Sequence, residues 1–523
     1  MGREGMVAAA HPLIVQAGLE VLGLGGNAVD AAIAAALTAA VVMPEMCGLG
    51  GDLFAIVHRP GEAPVSFLGS GVSPRAATLE QMRAAGDQTP GGLRMPLRGP
   101  LAPGVPGLVD AIDKLGELGT RPLAALAERA IGHVERGFAL TPFGAAAIAM
   151  CEPFLRKDAA ASAVFLPGGA VPKAGSILRQ TDLAATLKQV LEGDPRSFYE
   201  GSLAGRLAEG LGGAMTAADL AAHTTPVGPP LRTRYRGYDI WQTGLPTQGL
   251  IQLEAMNIVG QAPSEAVDIH LMAEALKLAF ADRLVQAKDP AFGPTPVDAL
   301  LSPAWAARRF AAIDPDRAAD PVTGELADGD TTYLCTADGS GMMVSLILSV
   351  SSAFGSGVMA PGTGVLFNNR VGRGFSLEDG HPNQFAPGKK TMHTLNCYLV
   401  TDPDGTGLIA GGSPGGDGQP QWNLQVLSGV IDQGLDVQAA IEAPRWSIWP
   451  GTDPHDLPNP FELRMETRLG ADAIEALRAK GHRIVPTGSW GGSGAAQAIA
   501  RDPATGVLAG GSDPRVEGLA LGF

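Results

Sequence analysis

The stretch Asp330-Thr331-Thr332-Tyr333-Leu334-Cys335-Thr336 precedes the turn sequence Ala337-Asp338-Gly339-Ser340-Gly341 and the near-continuous apolar run Met342–Val350. An alternating segment, a turn and a second apolar run predict a β-hairpin that enters a buried sheet. Thr331 lies at the start of this hairpin. If the chain is cut before Thr331, one residue carries both a nucleophile and a base. Its hydroxyl can attack a carbonyl while the new α-amine, whose ordinary pKa is about 8, accepts the proton.

Taken alone, Asp330-Thr331-Thr332 is also an ordinary polar entry into a strand. The rest of the chain, however, carries a series of short motifs on both sides of the hairpin. In chain order they are Ala10-His11-Pro12, Gly25-Gly26-Asn27-Ala28-Val29-Asp30-Ala31, Gly48-Leu49-Gly50-Gly51-Asp52, Val105-Pro106-Gly107, Tyr235-Arg236-Gly237-Tyr238, Phe354-Gly355-Ser356-Gly357, Pro361-Gly362-Thr363-Gly364, Asn368-Asn369, Gly412-Ser413-Pro414-Gly415-Gly416, Ala443-Pro444-Arg445 and Gly511-Ser512-Asp513-Pro514-Arg515. In order and spacing the series resembles the γ-glutamyltranspeptidase family over essentially the whole chain.

The resemblance implies an α/β fold, the four-layer αββα sandwich of N-terminal-nucleophile hydrolases, made as a proenzyme that cuts itself between Asp330 and Thr331. Residues 1–330 would form a helix-rich large subunit with the first sheet. Residues 331–523 would form a small subunit with the nucleophile-bearing sheet, and the two would make one compact body. The composition, with 45% hydrophobic and 17% charged residues, 71 Gly and 41 Pro, is that of a globular enzyme with many turns.

The formal net charge of -15 disfavours nucleic acids and anionic membranes as partners. The expected partners are a small-molecule amide and the two subunits of one precursor. Whether the protein forms a homodimer stays open. The segment Met1–Met6 has no apolar core, which predicts that there is no secretory leader and that the protein is cytoplasmic. A periplasmic location stays open if a leader was removed. The Ala-rich stretch Ala28–Met43 is too short to span a bilayer and is predicted to be a core helix.

Four scattered cysteines have no paired spacing and are predicted to be buried thiols: Cys47, Cys151, Cys335 and Cys397. The dispersed histidines offer no His-x3-His pair, so we expect neither a metal nor a cofactor in the chemistry. The glycine runs at residues 23–26 and 48–51 lack the context of a dinucleotide-binding fold, and we interpret them as tight turns.

Hydrophobic spacing predicts further elements of the first part of the chain. The predicted helices are Pro12–Leu22, Asn27–Val42, Pro122–Arg136 and His270–Ala287, and the predicted strands are Phe54–His58 and Val65–Leu68. Residues 91–106, rich in Gly, Pro and Arg, are predicted to form a surface loop. The acidic segment 314–330 is predicted to be an irregular hinge that releases its end after cleavage.

The resemblance assigns catalytic roles within the second part of the chain. Thr331 is the nucleophile, and the backbone N–H groups of Gly415 and Gly416 stabilise the oxyanion that forms when it attacks. The family has a threonine 18 positions after the nucleophile that steadies it, and this chain has Ser349 there. The hydroxyl is kept, so we expect the role to be kept.

The positions that bind substrate depart from the family pattern. Enzymes acting on γ-glutamyl groups hold the α-carboxylate with an arginine and a pair of serines, and they hold the α-amine with an asparagine, a glutamine and an aspartate. Here the arginine position falls in Gly69-Ser70-Gly71 and the asparagine position is Ser351. The amine-binding loop reads Arg370-Val371-Gly372-Arg373, and the serine pair becomes His393-Thr394. Arg373 would repel an ammonium group and attract a carboxylate.

We therefore expect an amide hydrolase whose acyl group carries a carboxylate but no α-amine, similar to oxamate amidohydrolase or to cephalosporin (glutaryl) acylase-like members. Four alternatives stay open at this point. Arg370 and Arg373 could be solvated loop residues, and His393 could be a packed histidine. The protein could also be a γ-glutamyltransferase or glutathione hydrolase, or an uncleaved, non-catalytic scaffold.

Overall fold

A computed structural model of the protein describes residues 1–89, 92–319, 330–449 and 462–523. The strands of these residues are, in chain order, β1 (Gly5–Ala9), β2 (Asp52–His58), β3 (Val65–Gly69), β4 (Asp87–Thr89), β5 (Gly92–Arg94), β6 (Phe138–Ala139), β7 (Ile177–Leu178), β8 (Val227–Gly228), β9 (Leu231–Tyr235), β10 (Tyr238–Gln242), β11 (Asp330–Asp338), β12 (Met343–Ser351), β13 (Met359–Ala360), β14 (Val365–Leu366), β15 (Tyr398–Thr401), β16 (Gly407–Gly412), β17 (Trp446–Trp449), β18 (Glu462–Met465), β19 (Ile484–Pro486), β20 (Gln497–Arg501), β21 (Leu508–Ser512) and β22 (Leu519–Gly522).

The α-helices of the same residues lie mostly before the hairpin. They are α1 (Pro12–Gly23), α2 (Ala28–Val42), α3 (Leu79–Ala84), α4 (Leu108–Gly116), α5 (Leu123–Arg136), α6 (Pro142–Leu155), α7 (Ala159–Phe165), α8 (Thr181–Lys188), α9 (Gly201–Gly210), α10 (Ala217–Ala221), α11 (Gly249–Val259), α12 (Ile269–Gln286), α13 (Val297–Leu300), α14 (Pro303–Phe310), α15 (Arg370–Gly374), α16 (Gly418–Ile431), α17 (Val437–Glu442) and α18 (Ala471–Ala479). None of the described helices combines the length and the hydropathy needed to cross a bilayer.

Two large sheets form the middle of the molecule. One has seven strands in the order β22-β1-β11-β12-β2-β3-β8, and the other has six in the order β21-β20-β16-β15-β10-β9. The predicted hairpin is confirmed, since β11 and β12 pair antiparallel at the centre of the seven-stranded sheet. In this sheet β1 lies between β22 and β11, and β12 pairs with β2, so a cut at residue 330 would leave the two parts hydrogen-bonded to each other.

Side chains of β11 alternate between two apolar layers, as a strand buried on both faces requires. Tyr333 and Cys335 belong to a buried cluster with residues of the six-stranded sheet, such as Leu399 and Ile499, which fills the space between the sheets. Leu334 belongs to a second cluster formed with α1, α2 and α5. A third cluster packs α11, α12 and α16 on the outer face of the six-stranded sheet. The layer order is therefore helix, sheet, sheet, helix, the αββα sandwich.

The predicted helices and strands of the first part agree with the structure within one or two residues. α2 begins with a capping box between Asn27 and Asp30, and every residue of this helix is buried. Pro122 is the N-cap of α5, whereas the sequence had placed it at the first helical position. The turn between α1 and α2 contains Gly25 at φ +80°, a left-handed conformation that glycine adopts without strain. The four cysteines form no disulfide with one another and are buried, as predicted.

The prediction of a surface loop over residues 91–106 is wrong for most of the described part. Gly92–Arg94 forms β5, and Met95, Ala102 and Val105 are buried. The segment packs over the loop that follows Asn368, because the Gly372 N–H donates to the Ala102 carbonyl at 2.9 Å. Residue 91 lies outside the described residues. So does most of the predicted hinge, 320–329.

Candidate active site

Three polar side chains lie in a row across adjacent strands at one end of the seven-stranded sheet. Each stands close to one end of its strand. The register of β11 and β12 pairs Thr332 with Leu348 and so places Thr331 beside Ser349. The register of β12 and β2 pairs Ser349 with Asp52. Because side chains alternate along a strand, all three face the space between the sheets, like Tyr333 and Phe54.

Thr331 and Ser349 are in direct contact. The Thr331 hydroxyl donates to the Ser349 hydroxyl oxygen at 3.2 Å, and the Ser351 backbone N–H donates to that same oxygen at 2.7 Å. Both residues are buried. The geometry therefore brings together the predicted nucleophile and the hydroxyl that is predicted to steady it, and the Ser351 N–H holds the Ser349 oxygen in position.

Ser349→Ala should lower the rate of amide hydrolysis by about 10- to 100-fold, the scale of one lost orienting contact. Ser349→Thr keeps the hydroxyl and should retain most of the activity. The measurement is kcat of the matured protein, with the extent of cleavage followed on a denaturing gel. A wild-type rate in the fully cleaved alanine variant would show that the contact has no catalytic role.

The Gly415-Gly416 turn follows β16, which pairs with β15 and β20 in the facing sheet. Gly415 has φ +120° and Gly416 has φ +55°, so both have backbone conformations that favour glycine. The Gly416 carbonyl accepts from Gln248 Nε2 at 2.6 Å, which fixes the turn from behind. Within the described residues, the N–H groups of Gly415 and Gly416 make no hydrogen bond. Two fixed, unused N–H groups are what an oxyanion hole requires.

A cavity of about 40 Å³ is lined by both Thr331 and Pro414, the residue that precedes this turn. His11 also lines the cavity and is buried. Its Nδ1 accepts from the Leu13 N–H at 3.1 Å, so Nε2 carries the proton of the neutral ring. Burial, together with the positive charge of His133, lowers the pKa of His11 to about 4. His11 Nε2 has no partner in the described part of the chain, which leaves it as a donor for a group in the cavity.

Asp52, at the far end of the polar row, belongs to a buried charged cluster with Arg370 and His393. Its Oδ2 accepts from Arg370 Nε and from His393 Nε2, each at 3.0 Å. Burial opposes ionisation of Asp52, but the His393 hydrogen bond and the Arg370 charge outweigh it and lower the pKa of the carboxyl. Burial and the Arg370 charge lower the pKa of His393 to about 3. The cluster thus contains a carboxylate, a guanidinium and a neutral imidazole.

His393 is held on every side. Its Nδ1 accepts from the Leu395 N–H at 3.2 Å, so Nε2 is the donor to Asp52, and its ring lies 4.5 Å from the Phe54 ring. Its backbone also bridges to Thr247. These contacts agree with the alternative that His393 is a packed histidine. Thr394, the next residue, is half-buried, and its Oγ1 has no hydrogen-bond partner within the described residues.

The Arg373 side chain contacts the backbone of Ser351. Its Nη1 donates to the Ser351 carbonyl at 3.2 Å, and Ser351 has the strained φ of +85° two residues after Ser349. Arg370 and Arg373 are both 3% exposed, so the alternative that they are solvated loop residues is wrong. The charge of Arg370 is matched by Asp52.

The family's arginine position has no room for a long side chain here. A Cβ at Gly69 would lie 2.4 Å from the Ala111 Cβ, and a Cβ at Gly71 would lie 2.2 Å from the Val105 carbonyl oxygen. Ser70, between them, is buried. The close packing of residues 69–71 against α4 and the 105–107 loop therefore explains why this chain has no arginine at the position where the family has one.

Sequence reasoning missed two residues of this site, Asp52 and His11. Both stand in motifs that carried the resemblance, but neither had been given a role. One feature of the sequence could have pointed to Asp52: an acidic residue at the first position of a buried strand needs a partner of opposite charge. His11 had none, because its unused nitrogen becomes apparent only when the cavity is known.

Comparisons with known proteins agree along the whole chain. Residues 15–523 match the family model described as Gamma-glutamyltranspeptidase. The chain is 37% identical to the oxamate amidohydrolase proenzyme of Klebsiella pneumoniae subsp. pneumoniae, over 99% of this chain and 98% of that protein. It is 34% identical to the Acylase ACY 1 proenzyme of Pseudomonas sp. (strain SE83), over 99% of this chain and 94% of that one. The crystal structure of cephalosporin acylase from Bacillus halodurans superposes with a TM-score of 0.91 at 36% identity, covering 100% of this chain and 96% of that one.

Proposed function

The chain belongs to the γ-glutamyltranspeptidase family and is an amidohydrolase of that family, and from this premise we propose its cleavage site and its substrate class. The precursor cuts itself between Asp330 and Thr331. The mature enzyme hydrolyses amides whose acyl group carries a carboxylate and no α-amine, of the oxamate or glutaryl type. The observation that carries the substrate class is the buried guanidinium of Arg373 on the Ser351 carbonyl, two residues from Ser349.

In the precursor, Thr331 Oγ1 attacks the Asp330 carbonyl carbon, and the peptide nitrogen leaves as the α-amine of Thr331. Water then hydrolyses the resulting ester, which gives a carboxylate on Asp330 and a free hydroxyl on Thr331. The residues of the two parts remain paired in one sheet, β1 with β11 and β22. Large and small subunits of one precursor therefore stay together after the cut.

In the mature enzyme, the Thr331 amine accepts the proton of its own hydroxyl as the oxygen attacks the substrate carbonyl. Ser349 holds that oxygen, and the N–H groups of Gly415 and Gly416 receive the developing negative charge. The amine of the substrate leaves with a proton, and water hydrolyses the acyl ester on Thr331.

The charges near Ser351 support an anionic acyl group. Asp52, the acidic residue at the end of the polar row, is already neutralised by Arg370 and hydrogen-bonded by His393. It is therefore a poor partner for a substrate ammonium. The guanidinium of Arg373 instead favours a carboxylate, with which it can form charge-assisted hydrogen bonds.

A substrate screen of the matured protein tests this proposal. Oxamate, succinyl and glutaryl amides should be hydrolysed with a higher kcat/KM than γ-glutamyl-p-nitroanilide or glutathione. Efficient turnover of the γ-glutamyl compounds would contradict the proposal and favour a γ-glutamyltransferase or glutathione hydrolase. Addition of dipeptide acceptors to the same assay distinguishes hydrolysis from acyl transfer, since transfer produces a new amide.

Arg373→Gln should lower kcat/KM for the carboxylate-bearing amides by about 30- to 100-fold, because it removes the charge from a desolvated carboxylate contact. A neutral acyl amide of the same length should be nearly unaffected. Glutamine can still donate to the Ser351 carbonyl, which makes this variant a milder test than alanine. An equal loss on anionic and neutral substrates would show that Arg373 only supports the fold.

A further inference from the structure

Three metal-ligating side chains meet far from Thr331 in the sequence and in no motif used above. His270 and Glu274 are four residues apart on α12 and so share one face of that helix. His482 follows α18 and reaches the same place, where its Nε2 lies 2.8 Å from His270 Nδ1. One ligand atom from each residue, with all three residues buried, lies within 4.8 Å of the others.

Hydrogen bonds from outside the cluster orient two of these ligands. His270 Nε2 lies 2.8 Å from the Asp314 carbonyl oxygen, which can only accept. Nε2 is therefore protonated, and in the neutral ring Nδ1 presents its lone pair to the cluster. Glu274 Oε2 accepts from the Ala319 N–H at 3.0 Å, which directs Oε1 inward. A backbone partner on the far nitrogen of a histidine is the usual support of a metal ligand.

The third ligand, His482, is buried and contacts the His270 ring. The contact between the two rings is consequently one N–H donated by His482 Nε2 to His270 Nδ1. A transition-metal ion could take the place of that proton if His482 shifted its proton to Nδ1, with no net change in charge on the ring.

We propose that His270, Glu274 and His482 bind one divalent transition-metal ion, with Zn²⁺ as the probe, and that a water completes a tetrahedral site. Ligand atoms about 2.0–2.1 Å from zinc lie about 3.4 Å from one another. The two ring nitrogens, now 2.8 Å apart, must separate slightly, and the other pairs must close from at most 4.8 Å. Such changes lie within the reach of side-chain rotation.

Lys277 would compete with a metal ion for the Glu274 carboxylate. Its Nζ lies 2.7 Å from Glu274 Oε1 and 3.4 Å from the Ala319 carbonyl oxygen. The ion would take over Glu274 Oε1 and leave Lys277 on the Ala319 carbonyl. Since two like charges repel across this distance, the lysine should weaken metal binding, and its removal should strengthen it.

The position of the site suggests its role. Asp314 and Ala319 belong to the last described segment before residue 330, and the Ala318 N–H donates to the Lys480 carbonyl at 2.7 Å. Two ligands thus come from residues 1–330 and one from residues 331–523. A bound ion would cross-link these two parts, whether or not the chain has been cut.

The test uses the full-length protein after dialysis against EDTA. Calorimetric titration with Zn²⁺ and metal analysis after gel filtration should give one ion per chain, and the thermal midpoint of unfolding should rise with Zn²⁺. His482→Gln keeps an N–H donor for His270 but is a poor ligand, so it should lose the ion and the shift. Glu274→Gln, which keeps an acceptor for Ala319, should do the same if the first variant folds poorly.

Lys277→Gln separates a metal site from a merely structural cluster, because it should raise the Zn²⁺ association constant by about 10-fold. The proposal is overturned if the wild-type chain retains no more zinc than His482→Gln. It is also overturned if Lys277→Gln and wild type show the same absence of a thermal shift. In either case the cluster is a hydrogen-bonded contact between α12 and the residues after α18.

Discussion

Thr331→Ala is expected to remain a single chain and to lose at least about 10⁴-fold in amide hydrolysis, the scale seen when a catalytic nucleophile is removed. Alanine has no oxygen to attack the Asp330 carbonyl, so the ester cannot form. The α-amine then stays in its peptide bond, and the site has neither nucleophile nor base. A denaturing gel and intact mass spectrometry measure the cut, and a substrate assay measures the activity.

Thr332→Ala is the matched control. Thr332 is the next residue of β11 and is equally buried, but its Oγ1 contacts Met43 Sδ at 3.6 Å on the helix side of the sheet. This variant should be cut between Asp330 and Thr331 and should remain active. If Thr331→Ala is still cut at residue 330, an external protease makes the break and the autocatalytic step is wrong.

Gly415→Ala is expected to reduce kcat by about 10²- to 10³-fold, the cost of one misplaced oxyanion donor. A Cβ on Gly415 would lie 2.2 Å from Cζ3 of Trp422, a buried ring that cannot move aside freely. The φ of +120° also disfavours any side chain. The turn must therefore rotate, which carries its N–H groups away from the carbonyl that Thr331 attacks.

Gly434→Ala controls for backbone strain, since Gly434 has φ +68° in an exposed turn and a Cβ there meets nothing within 4 Å. It should lose only a little stability and no activity. Thermal unfolding of both variants separates misfolding from a misplaced donor. If a well-folded Gly415→Ala variant retains wild-type kcat, the oxyanion is stabilised elsewhere.

The central hairpin and the helices of the first part could be read from sequence because local patterns fix them. Alternation specifies a strand, and the Asn27–Asp30 capping box specifies where α2 begins. Order and spacing of the motifs led to the family, which the family model confirms over residues 15–523. Thr331, Ser349, Gly415 and Gly416 followed from that resemblance, and their roles stay predictions until the variants are measured.

The charges of the site depended on contacts between distant segments, which no local pattern encodes. The sequence named Arg370 and Arg373 as substrate-binding candidates and assigned the carboxylate contact to Arg373. Only the fold shows that Asp52, 318 residues before Arg370, pairs with that arginine, and that Arg373 reaches the Ser351 carbonyl. The burial of residues 92–106 was missed for the same reason, since a glycine- and proline-rich segment is locally indistinguishable from a surface loop. Thus the sequence determined which elements form and which residue is the candidate nucleophile. The tertiary structure decided which of these charged groups are buried and which of them contact each other, because burial and pairing arise only when strands distant in the chain become neighbours in one sheet.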